Sequence, residues 1–208
     1  MKKFIVITLM LLGFGSQMYA QNGYSGIKGG LNLASLSTDG NSDKNLKMGF
    51  HAGVFTKIPL SESLAIQPEL LYSGKGIKLN FDESMVADGE AKFNLHYIDL
   101  PVKLVFNLAE DFSFEVGPYV SYLMSANVDT DGEVFGADFT SEDELDRDHF
   151  NSIDYGFSAG LGFDLDPMIV GFNYNLGLKQ VANSNDVAED LIGDAKNMVI
   201  QAYVGFKF

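Results

Sequence analysis

Cysteine is absent from the 208 residues, and tryptophan with it. Without cysteine there is neither a disulfide framework nor a lipoprotein anchor. Basic residues are scarce: Lys and Arg number 14 against 28 Asp and Glu. So acidic a balance argues against nucleic acid as a partner and against adhesion to anionic lipid surfaces. Long apolar runs are missing as well. The run from Phe4 to Phe14 falls short of the roughly 20 residues that a membrane-spanning helix needs. No later stretch comes nearer. If the chain crosses a membrane it does so as a closed barrel, because only helices and barrels satisfy every backbone group in lipid.

The short run belongs to the opening "MKKFIVITLMLLGFGSQMYAQ", where two lysines precede it and small or polar residues follow. This is the pattern of a secretory signal peptide over residues 1–20, cleaved after Ala20, with Met18 larger than usual at its position. An exported chain is expected, and residues 21–208 then form one domain.

The domain reads as eight segments of period-two patterning, near 24–37, 47–59, 63–80, 91–107, 111–128, 151–165, 168–181 and 197–208. Connections at 59–63, 108–111 and 164–167 are tight, whereas those near 38–46, 81–90, 129–150 and 182–196 are longer and rich in Asp, Asn, Ser and Gly. Short turns at one end and long loops at the other are the habit of bacterial outer-membrane barrels.

The last segment, "NMVIQAYVGFKF", poses the deciding question. One parity holds Met198, Ile200, Ala202, Val204, Phe206 and Phe208, and the other, mostly polar or small, holds Asn197, Val199, Gln201, Tyr203, Gly205 and Lys207. The three preceding segments show the same division, with Glu115, Asp154, Gly160, Asn173 and Asn175 on the polar parity. A lipocalin-like barrel would have to pack the whole apolar face into a lumen that eight strands barely leave open. A β-sandwich would carry a denser covering of Lys and Glu on its outer face. The apolar face therefore looks into lipid. The fold expected is all-β: a closed antiparallel eight-stranded transmembrane barrel with short periplasmic turns and long extracellular loops.

"GIKGGLNLA" (26–34), "YIDLPVKLVF" (97–106), the Gly117-Pro118 step and the terminal phenylalanine resemble the PorT-like outer-membrane β-barrel proteins of the Bacteroidota. The resemblance covers essentially the whole mature chain. It implies an eight-stranded barrel in outer-membrane lipid, inserted by the barrel assembly machinery, with Phe208 in the assembly signal. It supplies no catalytic or binding residues. The lack of tryptophan departs from the usual pattern and leaves the interfacial girdles to Tyr and Phe.

Candidate chemistry is sparse. Inward parity collects Lys28, His51, Glu69, Asp99, Lys103, Glu115, Asp154 and Asp164, which are expected to form a polar network filling the lumen, since buried charges are tolerable only when paired. His51 with Glu69 or Asp99 is the single arrangement that suggests lipid-modifying catalysis. The bland reading, one more member of the plug, outweighs it. His96 and His149 are placed near the outer ends of strands. The stretch 129–150 is dense in acids, and Asp129, Asp131 and Glu133 echo the start of a calcium loop. Thr140 stands where such a loop needs glutamate, so a solvated external loop is the better reading. Residues 187–192 are a candidate short helix. Pro68, Pro101 and Pro118 fall inside strand segments and predict bulges or local breaks in pairing. No cofactor and no metal is expected, and the barrel is taken as a monomer. The function read from these residues is a non-catalytic structural or interaction role, presenting acidic loops to an envelope or extracellular protein partner. The alternatives are a narrow solute or ion pore and a lipid-modifying enzyme.

Overall fold

A computed structural model describes residues 23–37, 46–83, 87–134, 137–144, 151–181 and 195–208, with backbone alone at 36–37, 77, 79–83, 87–91, 130–134 and 137–144. Nine strands are present among them: β1 (Tyr24–Ser37), β2 (Lys47–Pro59), β3 (Leu64–Glu83), β4 (Ala87–Ala109), β5 (Phe112–Val134), β6 (Ala137–Glu144), β7 (Ile153–Leu165), β8 (Met168–Gln180) and β9 (Lys196–Lys207). All pair antiparallel. Eight of them close a cylinder in the order β1–β2–β3–β4–β5–β7–β8–β9, and β9 returns to β1 from Gly26↔Lys207 to Ser37↔Lys196. The ninth strand, β6, pairs with an extension of β5 above the cylinder.

Alternation decides which way each strand faces. Ile27, Leu31, Met48, Phe50, Leu100, Val102, Phe157, Leu161, Phe172, Ile200 and Val204 are exposed on the outer wall, while Lys28, Asn32, His51, Asp99, Lys103, Ser158, Asn173 and Gln201 between them are buried. An eight-stranded cylinder has an interior just wide enough for side chains to fill, so the polar parity packs inside. The girdles form without tryptophan. Tyr72, Ile98, Tyr122 and Ile153 are successive cross-strand partners near the long-loop end. Toward the opposite end Phe112 meets Phe163 at 5.1 Å and Phe106 meets Phe114 at 6.4 Å between ring centroids.

The tight turns are pinned by backbone bonds. Leu60 N and Ser61 N donate to Leu64 O at 2.8 and 2.9 Å, Asp164 N donates to Asp111 O at 3.0 Å, and Phe208 N donates to Ser25 O at 2.9 Å. This end of the barrel is sewn to itself.

The three prolines leave local breaks in pairing, not bulges. Pairing of β2 with β3 skips from Phe55↔Glu69 to Ile58↔Ile66, that of β3 with β4 from Pro68↔Val102 to Leu71↔Asp99, and that of β4 with β5 from Pro101↔Tyr119 to Leu104↔Val116. Register is unchanged across every gap. Each proline lacks the N–H its neighbour would accept, and each keeps its ladder on the other side, as Pro118↔Phe157 does. At Gly117 the strands approach so closely that a Cβ would stand 2.0 Å from Val102 O. Bulges occur elsewhere in the β4–β5 ladder, between His96 and Tyr97 and between Asn107 and Ala109.

Two expected boundaries move. The sequence reading ends strands at 80 and 128 and opens others at 91, treating 81–90 and most of 129–150 as loops. Instead β3 and β4 pair up to Glu83↔Ala87, and β5 runs to Val134 before folding back as β6. His96 accordingly lies within β4, not near its end, and stacks on the outward Tyr72 at 5.6 Å. His149 and the candidate helix 187–192 lie outside the described residues.

Candidate functional site

Inside the wall the charges are arranged in tiers. Nearest the short turns, Lys207 Nζ bridges Asp164 at 2.5 Å and Asp166 at 3.0 Å, and the Tyr24 hydroxyl donates to Asp164 at 3.4 Å. A cavity of about 450 Å³ opens at this mouth beside Lys57, Asn107 and Asp164, and Lys57 Nζ donates to Asn107 Oδ1 at 3.0 Å.

The next tier closes the passage. Glu69 takes Lys28 at 2.5 Å and Lys103 at 3.2 Å, and Lys103 also reaches Glu115 at 2.9 Å. Gln67 Nε2 donates to Glu69 at 2.8 Å and the Tyr203 hydroxyl to Glu115 at 3.1 Å. The Lys28 ammonium also lies 4.5 Å from the Tyr203 ring centre. Two cations and two carboxylates, all buried, make a set of no net charge joined by ion pairs. Glycine makes room for the bulk: a Cβ on Gly171 would stand 2.6 Å from the Tyr203 ring and hydroxyl.

His51 heads a separate tier. Its Nδ1 lies 2.7 Å from Asn32 Oδ1, which also accepts Gln201 Nε2 at 3.0 Å. Asn32 Nδ2 donates onward to Ser73 Oγ at 3.0 Å and Gly74 O at 2.9 Å. An amide oxygen can only accept, so the imidazole proton sits on Nδ1. Among the described residues no hydrogen bond joins His51 to Glu69 or Asp99. The acid–base pairing suggested by the sequence is not assembled.

Above it Lys75 pairs with Asp99 at 2.9 Å, donates to Ser121 at 3.1 Å and lies 4.7 Å from the Tyr97 ring centre. Asp154 accepts Asn197 Nδ2 at 2.9 Å and the Tyr119 hydroxyl at 3.4 Å. Toward the long-loop end the inward side chains turn apolar: Phe93, Leu95, Leu123 and Ala126 are buried.

That apolar cap marks where the wall becomes a projecting sheet. The β4–β5 bulge at His96/Tyr97 lies there, and Gly76 in β3, paired with Asn94, has φ of 132°. Bulges bend and twist strands, and a positive φ of that size suits glycine alone. Beyond them β3, β4, β5 and β6 continue as four paired strands. Direct cross-strand partners share a face. One face then carries the row Asp82, Asp88, Glu133, Asp138, then Asn80, Glu90, Asp131, Thr140, then Lys78, Lys92, Asp129, Glu142. Positions between them include Ile77, Leu79, Phe81, Phe93, Val128 and Phe139 along with Glu83, Thr130, Ser141 and Asp143, so the other face is mixed and carries fewer acids.

The calcium-loop echo falls inside this sheet. Asp129, Asp131 and Glu133 lie in a strand paired on both sides, not in a loop coiled about an ion. Asp129 Oδ2 accepts Asn94 Nδ2 at 2.7 Å. No cluster of metal-ligating side chains exists among the described residues.

The profile of the outer membrane protein beta-barrel domain matches residues 19–183. The chain belongs to that family. The barrel is thus an outer-membrane β-barrel, crossing with eight strands. Among curated proteins no sequence matches. Among solved structures it is similar to Ail, the attachment invasion locus protein of Yersinia pestis, at 19% identity and a TM-score of 0.49, over 89% of this chain and 99% of that one. It is also similar to Neisserial surface protein A at 15% identity and 0.44, over 88% and 97%. The N-terminal barrel domain of Pseudomonas aeruginosa OprF stands at 10% identity and 0.36, over 90% and 98%.

Proposed function

We propose that this barrel is a non-catalytic outer-membrane protein whose wall anchors, and whose projecting sheet presents, an acidic surface to a partner outside the cell. The observation that carries this reading is the neutral, mutually bonded tier of Lys28, Glu69, Lys103 and Glu115, which fills the lumen below a sheet built well past the apolar band. A filled lumen argues against a pore. His51 bonded to Asn32, with no hydrogen bond to Glu69 or Asp99 among the described residues, argues against lipid chemistry.

The rest of the reading follows from export. A signal over residues 1–20 is removed, the barrel assembly machinery engages the strand ending at Phe208, and a single copy sits in outer-membrane lipid with both ends of the domain in the periplasm. Its finer kinship is with the PorT-like barrels.

Absence of cysteine makes the test free of background. Ser141→Cys in intact cells is expected to react with a membrane-impermeant maleimide, whereas Ser61→Cys is expected to react only after the outer membrane is opened. The reverse pattern overturns the orientation and the presentation with it. Purified protein in a planar bilayer is expected to stay at background conductance, and discrete steps would favour the narrow pore.

A further inference from the structure

Among the described residues the projecting sheet ends in an open edge. Among the described residues β6 pairs with β5 alone, and a strand with one neighbour leaves a row of unpaired N–H and C=O groups. The turn tells which groups these are. Val134 and Ala137 flank a two-residue connection, and residues so placed exchange both backbone hydrogen bonds. By alternation the backbone groups of 137, 139, 141 and 143 serve β5, while those of Asp138, Thr140, Glu142 and Glu144 face the open side.

Edges of this kind are ordinarily blunted by charged side chains, above all lysine, by proline, by a bulge or by a covering element. The segment "ADFTSEDE" has neither lysine nor proline and pairs without a register shift. Its guard is four acids, charge of one sign, which repels a like edge and admits a cationic one. Across the ladder Glu133 stands opposite Asp138 and Asp129 opposite Glu142. Like charges directly opposite are unfavourable, and a cationic neighbour on the free side relieves them.

We propose that β6 is a docking edge to which an extended, cationic segment of a partner protein adds as a further strand. Main-chain bonds to residues 138, 140, 142 and 144 hold the incoming strand, and Lys or Arg at its alternate positions meet the carboxylates of the adjoining face. A second copy of this chain does not fit, because its own β6 would set acids against acids. The proposal rests on the outward presentation of the sheet argued above.

The test uses full-length protein in phosphatidylcholine nanodiscs, whose lipid has no net charge, and a labelled peptide of alternating Lys and Thr read by fluorescence anisotropy. That peptide is expected to bind, and to weaken as salt is raised. The same composition interrupted by proline is expected to bind about tenfold less tightly, as loss of main-chain bonds requires. Thr140→Pro removes one outward N–H while sparing the bonds to β5, and it should cost a similar factor. Equal binding of the two Lys peptides would mean charge attraction only and overturn edge addition. Absence of binding by either peptide overturns it too. Neither result touches the presentation reading, which the cysteine labelling decides separately. Because the peptide comparison uses unaltered protein, it stands even where Thr140→Pro fails to fold.

Discussion

Lys75 and Asp99 are the clearest case of paired burial, because each is almost wholly enclosed and their contact at 2.9 Å is not shared with another ion pair among the described residues. Replacing Lys75 by Met strands a carboxylate in the lumen, a situation that costs about 3–5 kcal/mol. Lys75→Met is therefore expected to lower the temperature at which the folded band is lost on SDS gels, and to lower the urea midpoint in detergent. The double change Lys75→Met with Asp99→Leu is expected to recover most of that loss. A double variant as weak as the single one would show that the tyrosines and Ser121, not the charge pair, hold this tier. Gly76 is constrained by backbone alone. A Cβ there would stand 1.9 Å from Phe93 O at a φ of 132°, so Gly76→Ala should cost about 1–3 kcal/mol, with exchange protection lost first in residues 76–83. Much of the inward set, Lys28 and Glu69 among it, is named by alternation, since parity is a local property of a strand. Which of them meet is not local. Lys103 reaches both Glu69 and Glu115, and that depends on strand stagger around the cylinder, which parity does not encode.

At the level of strands, the proline gaps form a diagonal across three consecutive interfaces from β2 to β5. In the facing wall β7–β8 pairing runs unbroken from Gly156↔Gly177 to Leu165↔Met168, and β8–β9 pairing is interrupted only toward the long-loop end, between Leu176↔Met198 and Gln180↔Lys196. Amide hydrogen exchange in detergent or nanodiscs should follow this difference. Amides at the gaps, those of Thr56, Glu69 and Val102 directly across from the prolines, are expected to exchange faster than those of residues 157–163. Uniform protection round the barrel would show that the missing ladder bonds are replaced by other partners. The strand starts and tight turns were legible because proline, glycine and acid-rich turns interrupt a strong alternation. The extensions of β3 to β6 were not, because Asp, Asn and Gly at 80–90 and 129–138 carry the composition of loops. A subtler signal was present: Ile77, Leu79 and Phe81 alternate with Lys78, Asn80 and Asp82, which is strand period continued beyond the membrane.

Taken whole, the molecule separates its charges by place. Cations and carboxylates balance in the lumen, while the acid excess is carried by the projecting sheet. The seam that closes the cylinder, β1 against β9, sets a condition on the order of events in the life of the chain. The first strand of the wall has no permanent neighbour on one side until the last is made. Closure cannot proceed alongside synthesis, so the chain must travel to its membrane unclosed and be kept from pairing elsewhere on the way. A chain cut short before Lys196 would still hold seven wall strands, yet it would be a sheet with two raw margins. In lipid such margins have no partner, and the expected fate of that fragment is degradation in the periplasm.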